Sequence, residues 1–240
     1  MHITKKIFIL FTCSLLLTQM SFGQQSMDTS WDDPSFDHYA NNFYKGLKAD
    51  DLNFQAFRQA LSAYHQLDDD AKLTNDRYLT LIDMSKTSKK KRFFLIDLQT
   101  QELVHSSVVA HGKNSGVEFA NRFSNIVNSH QTGLGFYRTA ETYYGKHGYS
   151  LRLDGLESSN SNARKRAIVI HSAKYANPEF IEQYGRLGRS FGCPSLPEEN
   201  YTQVIEKIKE GSLLYIYYPD KSYVQSSELI QGTTKWLGSE

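Results

Sequence analysis

From Tyr78 onward the spacing of apolar residues changes from helical to extended, and that change constrains the fold more than any other feature of the chain. Y-L-T-L-I-D (Tyr78–Asp83), R-F-F-L-I-D-L (Arg92–Leu98) and E-L-V-H-S-S-V-V-A (Glu102–Ala110) are runs of β-branched and aromatic residues. The last two are separated by the short Q-T-Q link, which predicts a hairpin. Y-S-L-R-L-D-G-L (Tyr149–Leu156) alternates, R-A-I-V-I-H (Arg166–His171) ends in a histidine, and S-L-L-Y-I-Y-Y (Ser212–Tyr218) is closed by Pro219. Residues 111–148, rich in Gly, Ser, Asn and Tyr, read as loops with short strands. Upstream, Asn53 is placed to cap a helix reaching about Leu67, with Phe54, Phe57, Leu61 and Tyr64 as its apolar stripe. Asp68, Asp69 and Asp70 then read as a solvated turn beyond its end. A second helix is expected from near Pro197 to Glu210, stopped by Gly211. Residues 24–50 read as a loose polar leader, and the stretch after Asp220 as a weakly patterned tail.

The first 23 residues differ from the rest. Lys5 and Lys6 precede the apolar run I-F-I-L-F-T-C-S-L-L-L (Ile7–Leu17), and small Ser21 and Gly23 follow. That order is a secretory signal with cleavage expected after Gly23, so the product is expected in the periplasm or cell envelope. The run is short for a membrane span, so membrane contact is expected only through this segment before cleavage. The full chain carries a net charge of +1, and loss of the two lysines leaves 25 basic against 26 acidic residues. Neither balance suits a nucleic-acid partner. Cleavage also removes Cys13, one of two cysteines. The mature chain then has a single thiol, Cys193, and no internal disulfide. A free thiol in an oxidising compartment is a liability unless it is buried or has a reaction to perform.

Cys193 stands in the turn R-S-F-G-C-P (Arg189–Pro194), 22 residues after His171. A thiol is a nucleophile as its thiolate, and a neighbouring imidazole favours that form. Gly192 permits close backbone approach, so its amide and that of Cys193 are candidates for an oxyanion hole, while Pro194 has no amide hydrogen and shapes the turn. Ser190 and Ser172 are placed to orient the imidazole or the loop. Read from the residues alone, a Cys/His acyl-transfer site and a pair of buried structural residues stand about equal.

The pattern I-H-S (Ile170–Ser172), G-R (Gly185–Arg186) and G-R-S-F-G-C-P (Gly188–Pro194) resembles the catalytic signature of the YkuD-type L,D-transpeptidases. Eighteen residues separate His171 from Ser190, a slightly long spacer, and Phe191 stands where the motif has a histidine. Both departures resemble a divergent branch, the murein L,D-transpeptidase catalytic domain proteins. The same branch is matched by L-I-D-M-S-K-T-S-K-K-K-R-F-F-L-I-D (Leu81–Asp97), V-A-H-G-K-N-S-G (Val109–Gly116), F-S-N (Phe123–Asn125), L-G-F-Y (Leu134–Tyr137) and G-K-H-G-Y-S-L-R-L-D-G-L-E (Gly145–Glu157).

The resemblance implies a mainly β chain, α+β overall, with a YkuD-like β-sandwich core, a small N-terminal helical element and a helix after the cysteine. It divides into a signal peptide (1–23), a leader with the N-terminal helix (24–75), a catalytic domain (76–220) and a tail (221–240). The implied substrate is a peptidoglycan stem peptide. The Cys193 thiolate attacks an L,D peptide bond and expels D-Ala, and the acyl group passes to an amine of a neighbouring stem. The same resemblance gives His171 as base, Ser172 as a third group through its carbonyl or hydroxyl, and Ser190 as the motif serine. It also implies acylation by carbapenems. Arg189, Arg186, Lys146, His147, His111 and Tyr149 are candidates to line the substrate cleft. With no H-x-H or H-E-x-x-H spacing, neither metal nor cofactor is expected. Two rivals remain: an L,D-carboxypeptidase or endopeptidase with water as acceptor, and a wall-binding module with no catalysis.

Overall fold

The computed structural model describes residues 34–70 and 72–232. The expected signal segment, with Cys13, lies outside the described residues. Helix α1 (Pro34–Leu47) forms within the stretch read as a loose leader. Phe36, Ala40, Phe43 and Leu47 recur at helical spacing and are all buried. The polar residues between them mask the stripe, which packing onto a second helix brings out. That helix, α2 (Phe54–Asp69), is capped by Asn53 as its sequence predicts. The Asn53 side chain accepts from the Ala56 amide at 3.1 Å, a bond worth about 1 kcal/mol. The two helices run antiparallel, because their ring pairs count in opposite directions: Phe36 with His65, Phe43 with Phe57, Tyr44 with Phe54.

The strands are β1 (Tyr78–Asp83), β2 (Phe93–Asp97), β3 (Glu102–Ser107), β4 (Gly135–Gly145), β5 (Gly148–Gly155), β6 (Val169–Ser172), β7 (Ser195–Leu196) and β8 (Leu213–Tyr217). They connect in the order β3-β2-β1-β8-β4-β5-β6-β7. The β1–β8 and β6–β7 pairs are parallel and the rest antiparallel. The chain is therefore α+β with a β-rich core, as expected. β1, β2 and β8 are buried along their whole length, which is why they read as continuous apolar runs rather than alternating ones. Helix α3 (Pro178–Tyr184) follows β6, and α4 (Tyr201–Ile208) links β7 to β8. α4 starts later than Pro197, since Asn200 sits in a left-handed conformation just before it.

Two departures from the sequence reading matter for the site. The segment 111–148 ends in β4, an eleven-residue strand whose pairing with β5 is broken by an irregularity between Thr139 and Thr142. Such a break bends a hairpin. Here it leaves a tip at Lys146 and His147. The second departure is the tail, which folds as α5 (Lys221–Ser226) and α6 (Glu228–Gln231). Both are stitched to the sheet at Glu157. Its half-buried carboxylate accepts from the Phe136 amide and the Tyr223 hydroxyl, each at 2.8 Å, and from the Ser227 hydroxyl. Burial still pushes the Glu157 carboxyl above its ordinary value, so those three donors compensate desolvation without reversing it. Among the described residues, no helix is long and apolar enough to cross a membrane.

Candidate active site

The parallel β6–β7 pair sets the site. In its register His171 lies opposite Ser195 and Ser172 opposite Leu196. Cys193 precedes Ser195 by two residues, and its thiol donates to the Ala167 carbonyl at 3.5 Å. The Val169 amide also points at the sulfur. Ala167, Val169 and His171 are alternate residues, so the thiol lies beside the same strand as the imidazole, displaced along it by one side-chain repeat. Residues 22 positions apart in sequence thus come to diagonal positions of one ladder.

His171 is 2 % exposed. Its Nδ1 lies 2.8 Å from the Ser172 carbonyl and its Nε2 lies 3.0 Å from Ser195 Oγ. A carbonyl only accepts, so Nδ1 carries the hydrogen and Nε2 of the neutral ring is bare. Ser172 therefore serves through its backbone. Burial pushes the imidazole pKa down, and the neighbouring His147 and Lys146 push it further, against the bond to Ser172. His147 stacks on the His171 ring, with centroids 4.4 Å apart at 27°. The bent β4–β5 hairpin thus supplies an imidazole from an element far from the cysteine turn.

The cysteine turn is held from within. Ser190 Oγ donates to the Cys193 carbonyl at 2.6 Å and accepts from the Gly192 amide at 3.1 Å. Ser190 thus shapes the loop rather than orienting the imidazole. The Gly192 amide is taken, which corrects its expected place in an oxyanion hole, and the Cys193 amide turns toward its own sulfur. The glycine is needed for another reason. Its φ is +123°, and a Cβ there would stand 2.8 Å from the Gln131 carbonyl. Burial pushes the Cys193 thiol up, while the Val169 amide and the Arg166 guanidinium pull the other way. Burial thus favours the neutral form of both the thiol and the imidazole. Phe191 is 63 % exposed beside the turn, with His130 stacked on it at 4.4 Å and the Lys113 ammonium over its ring.

The other candidates are spread differently. Lys146 and His147 sit at the hairpin tip, over His171. His111 is fully buried and so does not line a cleft. Its Nδ1 takes a bond from the Arg92 guanidinium at 2.9 Å and its Nε2 faces the Gly116 carbonyl at 3.4 Å. Arg189 spends its guanidinium on the Lys113 and Gly116 carbonyls, at 3.3 and 3.2 Å. Arg186 donates to the Leu187 carbonyl at 2.7 Å. Both arginines therefore brace the loops that flank the cysteine. Tyr149 is tied to Glu206 on α4.

Three residues near the thiol and imidazole were not singled out from the sequence: Arg166, Tyr175 and Ser195. Arg166 reaches the Ser124 carbonyl at 2.6 Å, the Ser129 hydroxyl at 3.3 Å and the Gln131 carbonyl, which packs that loop against Gly192. Its signal was a cation opening the strand that ends in His171. Ser195 stands two places after Cys193, the spacing of one strand face. Tyr175 offered no signal, since only tertiary packing brings its hydroxyl to Ser195, at 3.0 Å.

Residues 48–217 match the family described as L,D-transpeptidase catalytic domain, which is most of the chain. No curated protein matches the sequence. Similar solved structures include an L,D-transpeptidase from Mycobacterium smegmatis, at 13% identity over 59% of each chain with a TM-score of 0.37. LD transpeptidase LdtMt1, in complex with imipenem, is similar at 14% identity over 59% of each chain, TM-score 0.36. An L,D-transpeptidase from Stackebrandtia nassauensis is similar at 11% identity over 75% of this chain and 76% of that one, TM-score 0.36. The chain thus spans 59% of the length of the first two. With the family match extending over the thiol, the imidazole and the strands that hold them, the chain belongs to the L,D-transpeptidase catalytic domain family.

Proposed function

We propose that the protein transfers acyl groups between peptidoglycan stem peptides through a thioester on Cys193. The observation that carries this reading is the single β6–β7 ladder, which puts Cys193 two residues before the partner of His171, an imidazole whose tautomer makes Nε2 an acceptor. His171 takes the thiol proton, and the Val169 amide and Arg166 favour the thiolate formed. The sulfur attacks the carbonyl of the L,D bond, and the Cys193 amide faces the developing oxyanion. The imidazolium returns its proton to the departing D-Ala amine, which leaves the thioester. An amine of a second stem then attacks the thioester, giving up its proton to His171, and the crosslink departs with Cys193 again a thiol. Export to the cell envelope, where such stems lie, follows from the N-terminal signal pattern.

LdtMt1 is solved in complex with imipenem, so that compound is the first probe. Incubation with imipenem followed by peptide mapping is expected to place one adduct on Cys193 and none on Cys193→Ala. An unmodified Cys193 would favour the wall-binding reading. Purified muropeptides then separate transfer from hydrolysis: crosslinked dimers are expected, and trimmed monomers alone would overturn transfer.

A further inference from the structure

The nitrogen that must receive the thiol proton faces Ser195, with Cys193 on the diagonal of the ladder. His171 Nδ1 is committed as a donor to the Ser172 carbonyl, so bare Nε2 accepts the Ser195 hydroxyl hydrogen at 3.0 Å. With that hydrogen committed, the 3.0 Å contact between Ser195 and Tyr175 has one orientation: Tyr175 donates and Ser195 Oγ accepts. The result is a directed chain from Tyr175 to Ser195 to His171. Ser195 is 0 % exposed, so no bulk water substitutes for it. The Cys193 thiol, meanwhile, donates to the Ala167 carbonyl. Cys193 and Ser195 are alternate residues, and Ser195 is the direct opposite of His171 in the ladder. The hydroxyl therefore faces the base directly and stands on the same strand face as the thiol, one side-chain repeat away.

We infer that Ser195 relays the proton between Cys193 and His171, with Tyr175 as the positioning residue that aims the relay. This rests on the reading of Cys193 as nucleophile and His171 as base. In the activating step the S–H bond of Cys193 breaks and its proton bonds to Ser195 Oγ. The former Ser195 proton passes to His171 Nε2 in the same event. The sulfur keeps the electron pair, the imidazole becomes imidazolium, and Ser195 ends as the hydroxyl it began as. Leaving-group protonation runs along the same path in reverse. Hydroxyls suit this role because they donate and accept at once, whereas an amide or carbonyl does only one.

Single-turnover acylation of the full-length protein by imipenem, followed by mass spectrometry, tests the relay. Ser195→Ala is expected to slow acylation about 10²-fold, the scale of a lost proton-transfer group. Ser195→Thr keeps the hydroxyl and is expected to restore most of the rate. Tyr175→Phe is expected to slow the reaction by about tenfold, the scale of one hydrogen bond. Rates in mixtures of H2O and D2O supply a readout that a merely structural role would not move. Two protons moving together give a rate that curves with deuterium fraction in the wild type and is linear in Ser195→Ala. Should the wild type acylate with a linear dependence, or Ser195→Ala acylate as fast or faster, the relay falls while the nucleophile reading stands. Should wild-type Cys193 take no adduct, the nucleophile reading falls and takes the relay with it. A Ser195→Ala protein whose thermal melt is lost is replaced by Ser195→Thr and Tyr175→Phe. A Ser195→Thr rate near wild type with a curved dependence supports the relay, and a linear one overturns it.

Discussion

Two buried histidines, His111 and His171, sit beside the same cysteine loop and hold opposite tautomers. His111 is closed at both nitrogens by partners that cannot change role: the Arg92 guanidinium only donates to Nδ1, and the Gly116 carbonyl only accepts from Nε2. Burial and Arg92 push its pKa down to about 3, so it stays neutral throughout the useful pH range. Arg92, buried as completely, also reaches the Val109 and Lys86 carbonyls, and its own pKa is lowered to about 9 by burial. His171 is fixed at Nδ1 only. Its Nε2 meets a hydroxyl, the one common side-chain group able to donate before proton transfer and accept after it. Burial of an imidazole is thus no sign of chemistry by itself. What the second nitrogen faces decides between a structural staple and a base.

The largest test of that contrast removes each ring's function in turn. His171→Ala is expected to slow imipenem acylation by about 10³-fold, within the range of a general base, with little change in thermal melting. Arg92→Met should do the reverse. It strands His111 and two carbonyls in the core and is expected to cost about 3 kcal/mol of stability, read by denaturant unfolding. The folded fraction should keep its acylation rate. If Arg92→Met abolished acylation at full stability, the division between staple and base would fail.

A smaller effect is expected in pH dependence. Because burial raises the Cys193 thiol and lowers the His171 imidazole, the pair rests neutral. Alkylation of Cys193 by iodoacetamide should be slow near neutrality and still climbing past pH about 8.5, where an unperturbed thiol is half ionised. A high plateau on the acidic side would instead indicate a standing thiolate–imidazolium pair. In the same samples, ring proton resonances should show His171 titrating below the ordinary histidine value and His111 silent until about pH 3. The smallest change concerns the hairpin tip. His147→Ala removes one of the groups that depress the His171 pKa, so that pKa should rise. No rise would show the stacked ring to be a bystander.

The same contrast explains which parts of the molecule were readable from the sequence. β1 and β8 are continuous apolar runs, and β1 has the bounds its sequence predicts. Asn53 announces its cap because capping is local chemistry. β4 escaped because Gly, Tyr and Thr on a partly exposed hairpin carry no clean alternation, and α1 because its four buried residues are diluted by polar ones. In the site, Cys193 and His171 were legible as reactive types in a recognisable spacing. Ser195 and Tyr175 were not, since β7 is two residues long and has no period to read. His111 was legible as a histidine but not as a staple, because its Arg92 partner lies on another strand's approach, nineteen positions away.

The clasp at Glu157 has a consequence in time rather than in space. Its carboxylate belongs to the turn after β5, yet two of its donors, Tyr223 and Ser227, come from the segment after β8. Every group the proposed reaction uses, from Arg166 to Ser195, precedes them in the chain. A growing chain therefore carries all the proposed reacting groups while the half-buried acid beside its sheet still lacks two partners. The clasp is closed by α5 and α6, so a cut just after β8 is expected to act on the sheet, though it lies far along the chain from the thiol.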